Sequence, residues 1–199
     1  MPDLQDVKGG FFMEDYSRLV NREHPLPSDF VPKNLIPCDF PFMAARDEEK
    51  RLLDARAAAA AKRLVEYGKS FGCRLTGISG YRSYARQQEL YTSRVREAGA
   101  EHASRYLALP GTSEHQSGLA LDLSCPAVHM ELLESFADTR EGRWLNAYAP
   151  MFGFIIRYPK GKEAVTGYAW EPWHIRYVTK SLALYLALTG LTLEDYHQI

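Results

Sequence analysis

The sequence predicts an α+β domain with a small, mainly antiparallel sheet flanked by helices, and three observations carry that expectation. Strand-like apolar segments are few: Arg74–Ser79, Leu119–Leu123, Gly153–Tyr158 and Trp173–Val178. Several helical stretches lie before and between them, at about 48–67, 84–98 and 131–152. Strands and helices do not alternate regularly, as the βαβ units of a parallel sheet would require. A chain of 199 residues with 12 Tyr, 9 Phe and 3 Trp can bury a substantial core within one domain.

Residues 1–45 hold several prolines, as in Pro25-Leu26-Pro27 and Val31-Pro32, with little periodicity. Fixed φ and missing N–H groups suit an extended arm packed on the domain formed by residues 46–199. From Glu48 to about Tyr67 the pattern is helical, with Leu52, Leu53, Leu64 and Val65 on its buried side and an Ala-rich middle that allows close packing. A strand over 74–79 leads to Gly80, which permits a turn. Ser83 can cap a helix from Tyr84 to Ala98 that Gly99 ends. After the strands at 119–123 and 153–158, Lys160-Gly161-Lys162 reads as an exposed turn before the last strand. Thr192 with Asp195 marks a final helical turn in capping-box style, with Asp where Glu or Gln is usual.

Charge excludes some partners. With 24 basic and 25 acidic residues the chain has no excess to offer nucleic acid or an anionic membrane surface. No apolar run is long enough to span a bilayer. The start, Met1-Pro2-Asp3-Leu4, lacks the basic and apolar regions of a secretory signal, so the chain as it stands is expected in the cytoplasm, or in the cell envelope if a leader has been removed. Cys38, Cys73 and Cys125 are odd in number and far apart, so they form neither a disulfide framework nor a CxxC metal site. Cys73 and Cys125 border apolar strands and read as buried, inert thiols.

Chemistry concentrates in two segments. Ser113-Glu114-His115-Gln116-Ser117-Gly118-Leu119-Ala120-Leu121-Asp122 offers His115 and Asp122, and Glu171-Pro172-Trp173-His174 offers His174 with an acid three residues before it. Two imidazoles and one carboxylate leave a divalent zinc one open position for water, the layout of a catalytic site. A carboxylate amid Leu119, Leu121 and Leu123 is costly to bury unpaired, which a metal or a basic partner would offset. Glu171, outside the ligand set, supplies a general base and acid; the bland alternative is a salt-bridging Glu, with Arg176 as a candidate partner. Arg82, at a strand-to-helix turn, can donate two hydrogen bonds to an oxyanion or carboxylate, or can form a structural ion pair. Arg157, Arg176 and Tyr177 read equally as packing or ion-pair residues. Trp173 reads as a packing residue that orients the last strand, and His24, His102, His129 and His197 as surface or capping residues.

These residues carry a resemblance. Ser-x-His-x-x-Gly-x-Ala-x-Asp followed by Glu-x-Trp-His is similar to the zinc D-alanyl-D-alanine carboxypeptidases of the VanY and VanXY type, which trim peptidoglycan stem peptides. Ser79-Gly80-Tyr81-Arg82-Ser83-Tyr84-x-x-Gln87, Ala108-Leu109-Pro110-Gly111, Gly153-Phe154-x-x-Arg157-Tyr158-Pro159 and Leu193-Glu194-Asp195-Tyr196-His197 resemble that family in the same order, over roughly residues 18–199. The resemblance implies the fold shared with the Hedgehog amino-terminal domain, one Zn²⁺ per chain on His115, Asp122 and His174, and catalysis by Glu171 and Arg82. It further implies that Gln87 and Ser113, together with Arg82, hold the substrate's terminal carboxylate, and that Tyr158 contacts the peptide backbone or the zinc-side oxygen.

The expected substrate is a peptidoglycan precursor or stem peptide ending in D-Ala-D-Ala, from which the terminal D-Ala is removed. Two readings keep the chemistry and change the substrate: an L,D-carboxypeptidase on tetrapeptide stems, or a D-Ala-D-Ala dipeptidase. A reading of another class is a Hedgehog-like module that keeps the zinc but only binds. Intact Glu171 and Arg82 favour an enzyme, because a binding module has no use for a base beside an open zinc position.

Overall fold

The computed structural model describes residues 15–101 and 107–199. His102 therefore lies outside the described residues. A four-stranded sheet forms the centre: β3 (Thr76–Ser79), β4 (Ala120–Ser124), β5 (Phe154–Ile156) and β6 (His174–Tyr177) run in the order β3-β4-β6-β5, every pair antiparallel. A separate two-stranded ribbon joins β1 (Leu35–Pro37) to β2 (Leu52–Asp54). The α+β expectation holds, with all four expected strands in the central sheet.

One side of that sheet carries the core. Leu121 and Leu123 of β4 and Ile175 of β6 pack with Leu64 and Val65 of α1 (Ala55–Ser70), Leu145 of α3 (Arg140–Tyr148), Phe136 and Phe154. Strand alternation then sends Ala120, Asp122 and Ser124, with His174 and Arg176, to the opposite side. Every residue of β4 is buried, so this second face is covered as well. A smaller cluster forms around Ile155, Val178, Ala183, Leu186 and Leu193.

The expected helix from Glu48 begins later. Glu49–Arg51 is a single 3₁₀ turn, Leu52–Asp54 is strand β2, and α1 starts at Ala55. The cause is Asp54, whose carboxylate accepts from the N–H groups of Arg56 and Ala57 and so caps the helix there. Such a cap contributes about 1 kcal/mol. Leu52 and Leu53, assigned to a helix face by sequence, instead pair with Pro37 and Ile36. A second difference is α5 (Lys180–Thr189), which the sequence reading did not single out. Its Ser-Leu-Ala-Leu-Tyr-Leu-Ala-Leu run is apolar on every side, so no 3.6-residue contrast marks it. Gly190, at φ 70°, is the signal that could have found its end.

Other expectations hold closely. Ser83 caps α2 (Tyr84–Ala98) by accepting from Arg86 N–H, and Gly99 ends it at φ 88°. Thr192 and Asp195 make a full capping box on α6 (Leu193–Tyr196). Lys160-Gly161-Lys162 is a turn, followed by the short α4 (Glu163–Thr166). All three cysteines are buried and free, and burial pushes the Cys38 thiol up to about 12.

Within residues 15–45, Tyr16, Val20, Leu26, Cys38 and Phe40 are buried, and Leu26 N–H donates to Gly111 O at 2.8 Å. Gln116 donates its side-chain amide to Pro27 O at 2.8 Å. At the far end of the chain, His197 Nε2 bonds the Ser17 carbonyl at 2.6 Å. His24 contacts Asn21, and His129 is an exposed residue in the left-handed region ending a 3₁₀ turn. Among the described residues no helix is long and apolar enough to cross a membrane.

Candidate active site

The site is assembled by strand register. In the antiparallel pairing of β4 with β6, Asp122 stands directly opposite His174. Direct cross-strand neighbours on one face have Cβ atoms about 4.5–5.5 Å apart, which is metal-sharing distance for their side chains. His115 comes from the 3₁₀ turn Glu114–Ser117, and Gly118 at φ 70° bends the chain from that turn into β4. A side chain on Gly118 would also crowd the Leu35 Cδ2 methyl at 2.9 Å, which can shift, so the positive φ is what calls for glycine here.

The three side chains converge. His115 Nε2 lies 3.2 Å from Asp122 Oδ2, and His174 Nδ1 lies 3.0 Å from Asp122 Oδ1. The two imidazoles stand edge to face with centroids 5.0 Å apart. One donor atom from each residue falls within 4.8 Å of the others, and all three residues are buried. Two imidazole nitrogens and one carboxylate oxygen in this spacing fit a zinc ion with an open position. The ring of His115 is oriented through its other nitrogen: Nδ1 bonds the Gly80 carbonyl at 2.6 Å. Gly80 therefore does more than permit a turn. A Cβ there would lie 2.4 Å from Leu52 O, so only glycine lets this carbonyl-bearing strand end approach β2.

Electrostatics follow from burial against partners. Desolvation alone would raise the Asp122 pKa, but the two histidines outweigh it and hold the carboxylate well below its usual range. Burial opposes charging His174, yet the hydrogen bond to Asp122, the nearby Glu114 carboxylate and the charges of Asp122 and Glu171 prevail, lifting it to about 10. Metal entry would displace that proton. For His115 burial wins and the pKa falls.

Glu171 Oε2 sits 3.6 Å from His174 Nδ1, beside the donor cluster. Burial pushes its carboxyl up to about 7, against the favourable charges of His174 and Arg82. A carboxylate near neutrality is suited to take and return a proton. Its suggested ion-pair partner is engaged elsewhere: Arg176 Nη1 donates to Glu114 Oε1 at 2.8 Å.

Arg82 feels both Asp122 and Glu171, and its guanidinium donates to Gln87 Oε1 at 3.0 Å and Ser79 Oγ at 3.2 Å. Gln87 is 1% exposed and spends its amide N–H on Ala108 O at 2.6 Å, so it reaches the site through Arg82. Ser113 is buried at the entry to the His115 turn. Tyr158 is buried with its ring tilted over His174 at 4.9 Å, and the Tyr168 ring packs against Tyr158 at 4.7 Å. Trp173 packs against the core from the residue before His174. Sequence reasoning did not single out Glu114, which is 1% exposed and lies between Arg157 and Arg176. Burial opposes its charge, but the two arginines hold its carboxyl well below the usual range.

Known proteins resemble this chain in sequence and fold. The VanY family model, described as D-alanyl-D-alanine carboxypeptidase, matches residues 50–180. YodJ of Bacillus subtilis (strain 168) is 41% identical over 185 residues, covering 93% of this chain and 68% of YodJ. The LdcB LD-carboxypeptidase structure superposes with a TM-score of 0.87 at 42% identity, over 90% of this chain and 84% of LdcB. A VanY D,D-pentapeptidase from a VanB-type resistance cassette, solved in complex with Zn(II), gives a TM-score of 0.76 at 32% identity, over 92% of this chain and 99% of that one. The fold is thus the Hedgehog/DD-peptidase fold of these enzymes, and the chain belongs to the VanY family of D-alanyl-D-alanine carboxypeptidases.

Proposed function

We propose that this protein is a zinc carboxypeptidase that removes the terminal D-Ala from peptidoglycan precursors or stem peptides ending in D-Ala-D-Ala. The observation that carries the reading is the cluster of His115, Asp122 and His174 donor atoms within 4.8 Å, with the Glu171 carboxylate 3.6 Å from His174 Nδ1. His115, Asp122 and His174 would hold one zinc per chain. When bound, zinc acidifies water and polarises a carbonyl oxygen.

Glu171 takes the proton of the attacking water as oxygen joins the scissile carbonyl carbon. It returns that proton to the amine nitrogen as the C–N bond breaks, leaving free D-Ala and a shortened peptide. Arg82 donates to the oxygen where negative charge develops, or to the terminal carboxylate, and Gln87 and Ser79 hold its fork in place. Ser113 lines the carboxylate end. Tyr158 fixes the His174 ring from above and borders the peptide. A half-buried acid of raised pKa, with Arg82 beside the donor cluster, supports an enzyme over a zinc-containing binding module.

Arg82→Ala should lower turnover by about 10²-fold or more while zinc stays bound, the scale of losing one oxyanion donor. Lysine should rescue poorly, because a point charge lacks the planar two-hydrogen-bond fork. Wild-type activity in Arg82→Lys would mean that diffuse positive charge suffices.

The substrate end is tested with three peptides at one concentration: one ending in D-Ala-D-Ala, its carboxamide, and one ending in D-Ala-L-Ala. A site that clamps a carboxylate should cleave the first far faster, since leaving a buried donor unsatisfied costs roughly 1–3 kcal/mol. Equal cleavage of the amide would make the protein an endopeptidase. A second reading, L,D-cleavage of a tetrapeptide stem, is supported by the greater likeness to LdcB than to the VanY pentapeptidase. Product analysis with pentapeptide and tetrapeptide separates the two.

A further inference from the structure

His174 presents its two nitrogens to two different carboxylates. Nδ1 faces the donor cluster, 3.0 Å from Asp122 Oδ1, while Nε2 points away from it, 3.6 Å from Glu114 Oε2. Both Nε2 of His174 and Oε2 of Glu114 are buried, and neither makes a hydrogen bond among the described residues. Two such atoms facing one another belong to one contact, which a small side-chain shift closes. The other oxygen of Glu114 is committed: Oε1 accepts from Arg157 Nε at 2.7 Å and Arg176 Nη1 at 2.8 Å. Arg157 is anchored in turn by Glu194, which accepts at 2.8 Å and 2.5 Å. Arg176 also donates to the carbonyl of Arg18 at 2.9 Å. The four side chains are almost fully buried and carry two positive and two negative charges, so the carboxylate has a fixed position and a balanced charge.

We propose that Glu114 is a positioning residue for the metal centre: its Oε2 accepts a hydrogen bond from His174 Nε2–H, which selects the tautomer whose lone pair lies on Nδ1, facing Asp122. This rests on the zinc reading of the site. It parallels His115, where the Gly80 carbonyl holds Nδ1 and leaves Nε2 for the cluster. The two histidines thus ligate through opposite nitrogens, each selected by an acceptor on the far side of its ring. Outer acceptors of this kind commonly account for 10–100-fold in metal affinity.

Glu114→Gln tests the effect: it keeps shape and turns the second acceptor into a donor, while also removing the charge that balances Arg157 and Arg176. Its amide oxygen must face the two arginines, which can only donate. Its NH₂ then faces His174 Nε2, which would have to become an acceptor and move the ring proton to Nδ1, blocking ligation. Zinc affinity, measured by competition with a chromophoric chelator, should fall about 10–100-fold in this variant, with circular dichroism unchanged. Affinity within twofold of wild type would overturn the proposal. Should the variant not fold, the zinc-loaded wild type decides: long-range ¹⁵N–¹H correlation should find the His174 proton on Nε2 and the His115 proton on Nδ1. A proton on His174 Nδ1 would overturn the assignment. His174→Ala serves as the control for the underlying reading. If it binds zinc normally, the metal site itself is wrong; if it loses zinc while Glu114→Gln does not, only the positioning role is wrong.

Discussion

Glu171→Ala should keep its fold and its zinc and lose turnover by roughly 10²–10⁴-fold, the usual contribution of a positioned acid–base group. The side chain lies outside the ligand set but 3.6 Å from His174 Nδ1, so its loss removes the proton carrier without removing a donor to the metal. Folding should hold because Glu171 is partly exposed and contributes nothing to either hydrophobic cluster. Its backbone N–H bond to Tyr158 O, at 3.0 Å, survives truncation to alanine. The measurement is steady-state hydrolysis of a D-Ala-D-Ala peptide beside metal analysis of the same preparation. Near wild-type hydrolysis with zinc in place would assign the base elsewhere.

Asp122→Ala should abolish stable zinc binding, with affinity reduced more than about 100-fold, beyond the range for outer-sphere partners. Asp122 is the one anionic member of the donor cluster, and its two oxygens each approach a different histidine, at 3.2 Å and 3.0 Å. Its removal takes away a ligand and the charge that aligns both imidazoles. His115→Ala and His174→Ala should also lose zinc, but each leaves the carboxylate and one imidazole. Metal content after dialysis, together with a chelator competition, reads the difference. Stoichiometric zinc in Asp122→Ala would remove this residue from the site.

Much of this site was legible because its parts are local motifs. Ser113 to Asp122 holds two candidate donors on one short loop and strand, and Glu171 to His174 holds the proposed base and the third candidate donor within one turn. Cap signals were equally readable: Ser83, Gly99 and the Thr192–Asp195 pair act through atoms within a few residues, so sequence alone sets them. The start of α1 was misplaced for the opposite reason. Leu52 and Leu53 suit a helix face as well as a strand, and the choice is made by pairing with Leu35–Pro37, residues that no local pattern connects to them.

The sequence by itself determined the α+β class, the candidate donors and neighbouring acid that the fold brings together, and the punctuation of most elements, because propensity, capping and ligand chemistry act over short chain distances. Tertiary structure alone decided that Asp122 faces His174 across 52 residues, since strand register is a property of two paired segments and not of either one. It alone decided that Gln87 serves Arg82, and that Glu114 stands between two buried arginines behind His174. A charged side chain in a motif reads as solvent-facing until packing buries it, and only then must each of its oxygens find a donor.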